Sequence, residues 1–327
     1  MVETVITPTE RSVETNGVTL RVTEAGERGN PVVVLAHGFP ELAYSWRHQI
    51  PALAAAGYHV LAPDQRGYGG SSRPESIDDY DITKLTGDVV GLLDDIGAEH
   101  AAVIGHDWGA VVAWNAAQLH PDRVAAVGGL SVPPTPRSTR PPTQAFRELV
   151  GEGKFFYILH FQEPGVADAE FDGDPARALR RMFGGLLPPE NEEAAMRMLR
   201  PGPEGLIDRL PEPSALPDWI STGEFDHYVD AFTRTGFTGG LNWYRNFDRN
   251  WELTAHLADA KITVPALFLA GAADPVLGFA RPDRARDLIA GPYTEILLDG
   301  AGHWVQQERA EEVNAALIGF LHGLELQ

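Results

Sequence analysis

Cysteine is missing from this 327-residue sequence, and only three lysines are present, at Lys84, Lys154 and Lys261. Without cysteine the chain has no disulfides and no thiolate chemistry, which suits a reducing compartment. Lysine and arginine number 26 against 46 acidic residues, so the net charge is −20. A field of that sign repels nucleic acid and anionic membranes, and no basic run interrupts it. We therefore expect no nucleic-acid or membrane partner.

Long apolar runs are lacking as well. No stretch reaches the ~18 apolar residues typical of a membrane-spanning helix. The start of the chain carries acidic side chains and no apolar segment, so we expect no secretory signal peptide. With 43% apolar residues, the chain is long enough for one large domain and an insertion. These properties predict a globular protein of the cytoplasm.

Strand and helix signals alternate along the first third of the sequence. Asn16-Gly17 marks a hairpin turn, and the apolar run at residues 31–36 is typical of a strand buried on both faces. Trp46 to Ala56 and Thr83 to Ile96 are predicted helices. This repeated alternation predicts an α/β fold with a mostly parallel, doubly wound sheet.

The alternation stops after residue 131 and resumes near residue 263. The segment between them is rich in proline, glycine and charge, and it lacks a convincing buried strand. We therefore predict a core of residues 1–134 and 253–327, with a mostly helical cap at residues 135–252. An insertion between core strands lies above the carboxyl ends of the sheet, where open α/β folds bind ligands. The cap is thus expected to cover the functional site.

The segment Gly105-His106-Asp107-Trp108-Gly109 lies between a predicted buried strand and an apolar helix. In this context G-x-S-x-G is the nucleophile elbow of an α/β-hydrolase, and here aspartate replaces the serine. A carboxylate is ionised near neutral pH without the help of a base. Asp107 is therefore predicted to attack carbon directly and form an alkyl ester. The motif alone is weak, since glycine-flanked aspartates occur in many turns.

Two later residues complete a predicted triad in the order nucleophile, acid, histidine. Asp274 follows the predicted strand at 266–270, and His303 follows the one at 294–298. The alternatives are that Asp274 only caps the turn before Pro275 and that His303 is a structural loop histidine. Asp299 is nearer to His303 in sequence, but it ends its strand beside a turn glycine. Asp274 is therefore the preferred acid.

The loop after the strand at residues 32–36 predicts an oxyanion hole. In this fold one backbone donor comes from that loop and the other from the residue after the nucleophile. The predicted donors are the amides of Phe39 and Trp108. Both residues, together with Pro40, are also expected to contact substrate. His37 is predicted to be a buried hydrogen-bonding residue that shapes the loop.

Six segments spread over nearly the whole chain resemble those of the soluble epoxide hydrolases of the α/β-hydrolase superfamily. They are His-Gly-Phe-Pro-Glu at 37–41, Asp-Gln-Arg-Gly-Tyr-Gly at 64–69, Gly-His-Asp-Trp-Gly at 105–109, Phe-Gln-Glu-Pro-Gly at 161–165, Leu-Asn-Trp-Tyr-Arg-Asn at 241–246 and Gly-His-Trp at 302–304. Haloalkane dehalogenases share the first three. The two cap motifs are more specific, and the resemblance maps the two cap tyrosines of the family onto Tyr157 and Tyr244. Tyr244 lies in an intact motif, Tyr157 is matched by spacing, and His160 stands where relatives often carry another tyrosine.

The resemblance implies hydrolysis of epoxides to vicinal diols through a covalent ester on Asp107. Tyrosine has a pKa of about 10, so two phenols can donate to the ring oxygen at pH 7. His303, oriented by Asp274, would then activate the water that hydrolyses the ester. No metal or organic cofactor is expected. The expected partners are a small lipophilic epoxide and water.

Two other functions stay open at this point. A haloalkane or haloacid dehalogenase would use the same aspartate, with Trp108 cradling the halide, but it needs further halide donors in the cap. A small-molecule binding protein could keep the fold without turnover, although the complete set of Asp107, Asp274 and His303 argues against it.

Overall fold

The computed structural model of the protein describes residues 6–186 and 192–324. Residues 1–5 and 325–327, at the ends of the predicted core, and residues 187–191, in the predicted cap, lie outside the described residues. Within the described part, no helix is both long and apolar enough to cross a membrane.

One sheet of eight strands organises the described residues. The strands are β1 (Thr9–Thr15), β2 (Val18–Ala25), β3 (Val32–Ala36), β4 (His59–Asp64), β5 (Ala101–His106), β6 (Val124–Leu130), β7 (Ala266–Gly271) and β8 (Tyr293–Leu298). Their order across the sheet is β1-β2-β4-β3-β5-β6-β7-β8. β2 pairs antiparallel with β1 and β4, and all the other pairs are parallel. The predicted α/β fold with a mostly parallel sheet is confirmed.

The central strands are buried along their whole length. Every residue of β3, β5 and β7 is buried, as the continuous apolar runs predict for strands covered on both faces. The predicted hairpin joins β1 and β2. Asn16 and Gly17 have φ values of 46° and 76°, and positive φ at both central residues is what a type I′ turn requires.

Parallel pairing brings the carboxyl ends of β3, β5, β7 and β8 to the same edge of the sheet. Ala36 at the end of β3 pairs with Gly105 in β5, and Gly271 at the end of β7 pairs with Leu298 at the end of β8. The loops after these four strands carry the predicted oxyanion-hole residue, nucleophile, acid and histidine, in that order. Residues far apart in sequence thus come to one edge of the sheet.

The helices of the predicted core follow the predicted alternation, with shifted boundaries. The helices of the described residues are α1 (Gln49–Ala55), α2 (Ile82–Ile96), α3 (Trp108–Leu119), α4 (Pro142–Val150), α5 (Tyr157–His160), α6 (Val166–Asp172), α7 (Pro175–Gly185), α8 (Glu192–Leu199), α9 (Leu206–Arg209), α10 (Thr222–Thr235), α11 (Thr238–Arg245), α12 (Phe247–Leu253), α13 (Leu277–Ala280), α14 (Val305–Glu308) and α15 (Ala310–His322). The helix predicted from Trp46 begins at Gln49, because Ala43–Trp46 forms a separate 3₁₀ turn. In that turn the Arg47 amide donates to the carbonyl of Tyr44, three residues back.

The chain divides into two compact units. The first comprises the residues up to Ser72, Ile82–Pro136 and those from Asp259 onward, and it contains the whole sheet. The second comprises Arg73–Asp81 and Arg137–Ala258, and its described residues contain helices and no strand.

Residues 73–81, expected in the core, belong instead to the second unit. Two side-chain contacts join these residues to the C-terminal part of that unit. The Asn246 side-chain amide donates to the carbonyl of Ile77 at 2.6 Å, and Arg249 Nε donates to the carboxylate of Asp81 at 3.1 Å. These partners are more than 160 residues apart, so no local sequence signal marks the pairing.

Aromatic side chains fill the interior of the second unit. Phe232 and Phe237 stack with their ring centroids 4.4 Å apart, and Phe171 contacts Phe237 at 5.1 Å. Trp243 in α11 is fully buried. Stacked and edge-to-face rings of this kind add to the free energy gained from their burial.

Candidate active site

Asp107 lies on a sharp turn between β5 and α3. Its φ and ψ are 52° and −119°, a conformation that residues with a side chain rarely adopt. A Cβ on Gly105 would lie 1.9 Å from the Gly109 carbonyl oxygen, and a Cβ on Gly109 would lie 1.9 Å from the Ala36 carbonyl oxygen. Only glycine lets strand and helix approach this closely, which is the physical reason for the spacing of the motif.

The two predicted oxyanion-hole amides both reach the Asp107 carboxylate. The amide of Phe39 donates to Oδ1 at 2.9 Å, and the amide of Trp108 also donates to this carboxylate. Phe39 and Trp108 are buried, and Pro40 follows Phe39 through a cis peptide bond. The structure therefore brings together the loop after β3 and the start of α3 around one side chain.

His37 shapes that loop, as predicted. Its Nε2 accepts a hydrogen bond from the amide of Gln65 at 2.9 Å, and its Nδ1 lies 2.9 Å from the carbonyl oxygen of Gly38. The ring is fully buried, and burial lowers its pKa below the usual range. One nitrogen accepts and the other donates, which is the pattern of a neutral imidazole.

His303 lies between two carboxylates. Its Nδ1 donates to Oδ2 of Asp274 at 2.9 Å, and its Nε2 is 3.6 Å from Oδ2 of Asp107. Asp274 is itself fixed, because the amide of Val276 donates to its other oxygen at 2.9 Å. The predicted acid is thus in contact with the histidine, while Asp299 is exposed at the end of β8. Asp107, Asp274 and His303 form one continuous polar group.

Charge and burial oppose each other at these three residues. Burial lowers the pKa of His303, but the charges of Asp274 and Asp107 outweigh it and raise the pKa to about 9. Burial raises the pKa of Asp274, yet its contacts with His303 bring the pKa below the usual range. Burial raises the pKa of Asp107, against the opposing effect of His303. The free protein therefore holds a protonated His303 at neutral pH.

A second buried polar group, which sequence reasoning missed, fixes the backbone of His303. His106 Nδ1 donates to Glu41 at 2.6 Å, and its Nε2 donates to the carbonyl oxygen of His303 at 2.8 Å. The hydroxyl of Ser131 donates to the same carbonyl oxygen at 2.7 Å. His106 thus links the Glu41 carboxylate to the backbone of His303.

Glu41 is the anion of this group and is fully buried. Its carboxylate accepts from the Gly38 amide at 2.9 Å and from the side chain of Gln306 at 2.9 Å. Burial raises its pKa, but His106 and the Gly38 amide outweigh burial and bring the pKa to about 2. In the sequence the signal for this group is Glu41 itself, an acidic residue within a segment that is otherwise typical of a buried loop.

Tyr157 and Tyr244 lie in the second unit, on α5 and α11. Their ring centroids are 6.1 Å apart, with the ring planes at 75°. Phe161 contacts both rings edge to face, at 5.5 Å from Tyr157 and 5.0 Å from Tyr244. The two phenols, predicted from separate motifs, are therefore neighbours.

His160 is directed to a different partner within the second unit. Its Nε2 lies 2.8 Å from Oε2 of Glu170, whose other oxygen accepts from the amide of Ile207 at 2.5 Å. The pair links α5 to α6 and α9. The sequence left the role of His160 open, and the structure shows that it contacts Glu170.

The fold and the elbow define an α/β-hydrolase, and a family model described as alpha/beta hydrolase fold matches residues 31–162. The chain is 73% identical over 320 residues to Epoxide hydrolase A of Mycobacterium tuberculosis, covering 98% of this chain and 99% of that protein. It is 40% identical to Epoxide hydrolase B of the same species, covering 91% of this chain and 93% of that one. The crystal structure of Epoxide Hydrolase A from Mycobacterium thermoresistibile superposes with a TM-score of 0.96 at 77% identity, covering 98% of this chain and 100% of that one. The chain belongs to the epoxide hydrolase family, which confirms the resemblance.

Proposed function

We propose that this protein hydrolyses epoxides to vicinal diols through a covalent ester on Asp107. The observation that carries the proposal is the unequal environment of the two Asp107 oxygens. Oδ1 accepts the Phe39 amide at 2.9 Å, whereas Oδ2 is 3.6 Å from His303 Nε2, beyond hydrogen-bond range. Oδ2 is therefore the oxygen available for attack, and Oδ1 becomes the carbonyl oxygen of the ester.

In the first step, Oδ2 forms a bond to one epoxide carbon as the bond from that carbon to the ring oxygen breaks. We assign Tyr157 and Tyr244 the task of donating to the ring oxygen, one phenol giving it a proton. The ester no longer carries the charge of Asp107, which had helped to raise the pKa of His303. His303 then releases its proton, which replaces the one lost by the phenol. His303 thereby becomes a neutral base.

In the second step, neutral His303 takes a proton from water as the water oxygen bonds to the ester carbon. The negative charge of the tetrahedral intermediate falls on Oδ1, where the Phe39 amide donates, and the Trp108 amide donates to the same carboxylate group. One such donor is typically worth about 3–4 kcal/mol of transition-state stabilisation. The bond between the carboxyl carbon of Asp107 and Oδ2 then breaks, and the diol leaves with Oδ2 and takes up a proton. The carboxylate of Asp107 is restored with one oxygen from water.

The second unit supplies the argument for an epoxide as the substrate. A leaving halide needs only hydrogen-bond donors, which keep their protons. An epoxide oxygen must gain a proton. Two neighbouring phenols with centroids 6.1 Å apart suit the second task. We propose that the helical unit carrying them is the cap, and that it presents them to the epoxide opposite Asp107. The relatives' names also favour epoxides over the dehalogenase alternative.

The test is a panel of small lipophilic epoxides and haloalkanes given to the wild-type protein. We expect diol from epoxides and no halide release, with Asp107→Ala inactive on both. In His303→Gln the ester should persist and be found by mass spectrometry on the peptide that contains Asp107. Halide release without diol formation would instead establish a dehalogenase. The cytoplasmic location stays a prediction.

A further inference from the structure

The two phenols of the second unit come from chain segments that are far apart in sequence. Tyr157 begins α5, a single turn of four residues, and Tyr244 lies in the last turn of α11. So short a helix has little stability of its own. The spacing of the phenols therefore depends on contacts that join these two elements.

Gln162 makes such a contact with one side-chain nitrogen. Its Nε2 donates to the carbonyl oxygen of Ile158 at 2.8 Å and to the carbonyl oxygen of Tyr244 at 3.0 Å. A primary amide has two N–H groups, so a single nitrogen can serve both acceptors. One acceptor follows Tyr157 directly in the chain, and the other belongs to Tyr244 itself. Gln162 thus joins the backbones of both tyrosine-bearing elements.

The neighbouring residue, Phe161, is held between the same two elements. Its ring touches both phenol rings, and its carbonyl oxygen accepts from Arg245 Nε at 3.1 Å. Arg245 also pairs with the largely buried Asp168. This second connection between the segments does not use Gln162. Loss of the Gln162 amide therefore leaves the unit held together and changes only how closely the two backbones are fixed.

We propose that Gln162 is a positioning residue that sets the spacing of Tyr157 and Tyr244 for opening the epoxide; this rests on the proposed function. The phenols act on the ring oxygen in the first step and have no part in the attack of water on the ester. Loss of the Gln162 donors thus slows formation of the ester and leaves its hydrolysis unchanged. A small misplacement of a reacting group can cost about 100-fold in rate.

The test variant is Gln162→Met, which keeps an unbranched side chain of similar length and removes both donors. Single-turnover kinetics with one epoxide separates the rate of ester formation from the rate of its hydrolysis. We expect ester formation to fall by about 10–100-fold, with hydrolysis within about twofold of wild type. Equal losses in both rates, or no loss in either, would overturn the proposal. If Gln162→Met does not fold, Gln162→Leu provides the same test, since its apolar side chain also removes both donors.

Arg181→Met is the matched control. Arg181 Nη1 also donates to two carbonyl oxygens in the second unit, those of Ile207 at 2.6 Å and Leu210 at 3.2 Å, but it touches neither tyrosine-bearing element. We expect it to lower thermal stability and to leave the ratio of the two rates unchanged. A change of that ratio in the control would assign the effect to general loosening of the unit.

A double-mutant cycle checks that Gln162 acts through the phenols. In a Tyr244→Phe background, Gln162→Met should slow ester formation by a smaller factor than in the wild type. Additive effects would count against the proposal. Failure of the wild type to form any diol would instead refute the proposed function, so the two failures are distinguishable.

Discussion

The Phe39 amide and the Asp107 carboxylate are joined by a hydrogen bond of 2.9 Å that involves only one of the two carboxylate oxygens. The other oxygen faces Nε2 of His303 at 3.6 Å. The two oxygens of the proposed nucleophile are thus distinguished before substrate arrives. Oδ1 already accepts from the Phe39 amide, a donor to the proposed tetrahedral intermediate, and Oδ2 is turned toward His303.

This distinction predicts the fate of each oxygen atom. In a single turnover in ¹⁸O-water, the diol should contain ¹⁶O from Asp107, and the Asp107 peptide should gain one ¹⁸O. In a second turnover with the same protein, the diol should carry ¹⁸O, because the oxygen from water takes the place of Oδ2. Mass spectrometry of the diol and of a proteolytic digest measures both. Incorporation of ¹⁸O into the diol on the first turnover would point to direct attack of water on the epoxide.

Replacing Asp274 with asparagine should slow hydrolysis of the ester more than its formation. The substitution removes the carboxylate that raises the pKa of His303 and fixes its ring. Loss of the equivalent carboxylate in a catalytic triad costs on the order of 10⁴-fold, so we expect about 10²–10⁴-fold here. Rapid-quench measurement of the ester gives the rate. Asp299→Asn, at an exposed position, serves as the control and should behave as wild type.

Stability should depend on pH through His303. Its pKa is raised from about 6.5 in the unfolded chain to about 9 in the folded protein. The stabilising contribution is therefore complete below about pH 6.5 and is lost as the pH rises toward 9. Urea unfolding at pH 6 to 10 should show a fall in the free energy of unfolding that is smaller in His303→Gln. Identical pH profiles for the two proteins would contradict this assignment.

Gly38→Ala should inactivate the protein by displacing the nucleophile. A Cβ on Gly38 would lie 2.5 Å from the Cβ of Asp107 and 2.6 Å from its Oδ1. We expect ester formation to fall by about 100-fold or more, because the carboxylate must move from the Phe39 amide. Gly319→Ala in α15 is the control. A Cβ there meets open space, and the change should stabilise by up to about 1 kcal/mol without affecting the rate. Wild-type ester formation in Gly38→Ala would show that the loop adapts.

The edge of the sheet that carries the candidate site could be predicted because each of its parts has a local signal. Strand β5 is a continuous apolar run, and the two glycines around Asp107 mark the close approach of strand and helix. Asp274 and His303 each follow a strand directly. Parallel pairing then brings the four loops to one edge, so no knowledge of long-range contacts was required.

The buried group around Glu41 could not be predicted in the same way. Its members come from separate chain segments: Glu41 from the loop after β3, His106 from the end of β5, and Gln306 from α14. A buried carboxylate is stable only with such partners, and sequence reveals the residue but not the partners. The hydrogen bonds donated by Gln162 could not be predicted for the same reason, since one of the acceptors is a backbone atom in α11.

The backbone of Asp107 has a consequence for the stability of the whole protein. A side chain held at φ 52° and ψ −119° costs about 1–3 kcal/mol, and glycine adopts such angles at little cost. Asp107→Gly should therefore unfold at a higher temperature than the wild type while making no diol. The same backbone angles that place the carboxylate thus reduce the stability of the fold, so stability and turnover make opposite demands on this one residue.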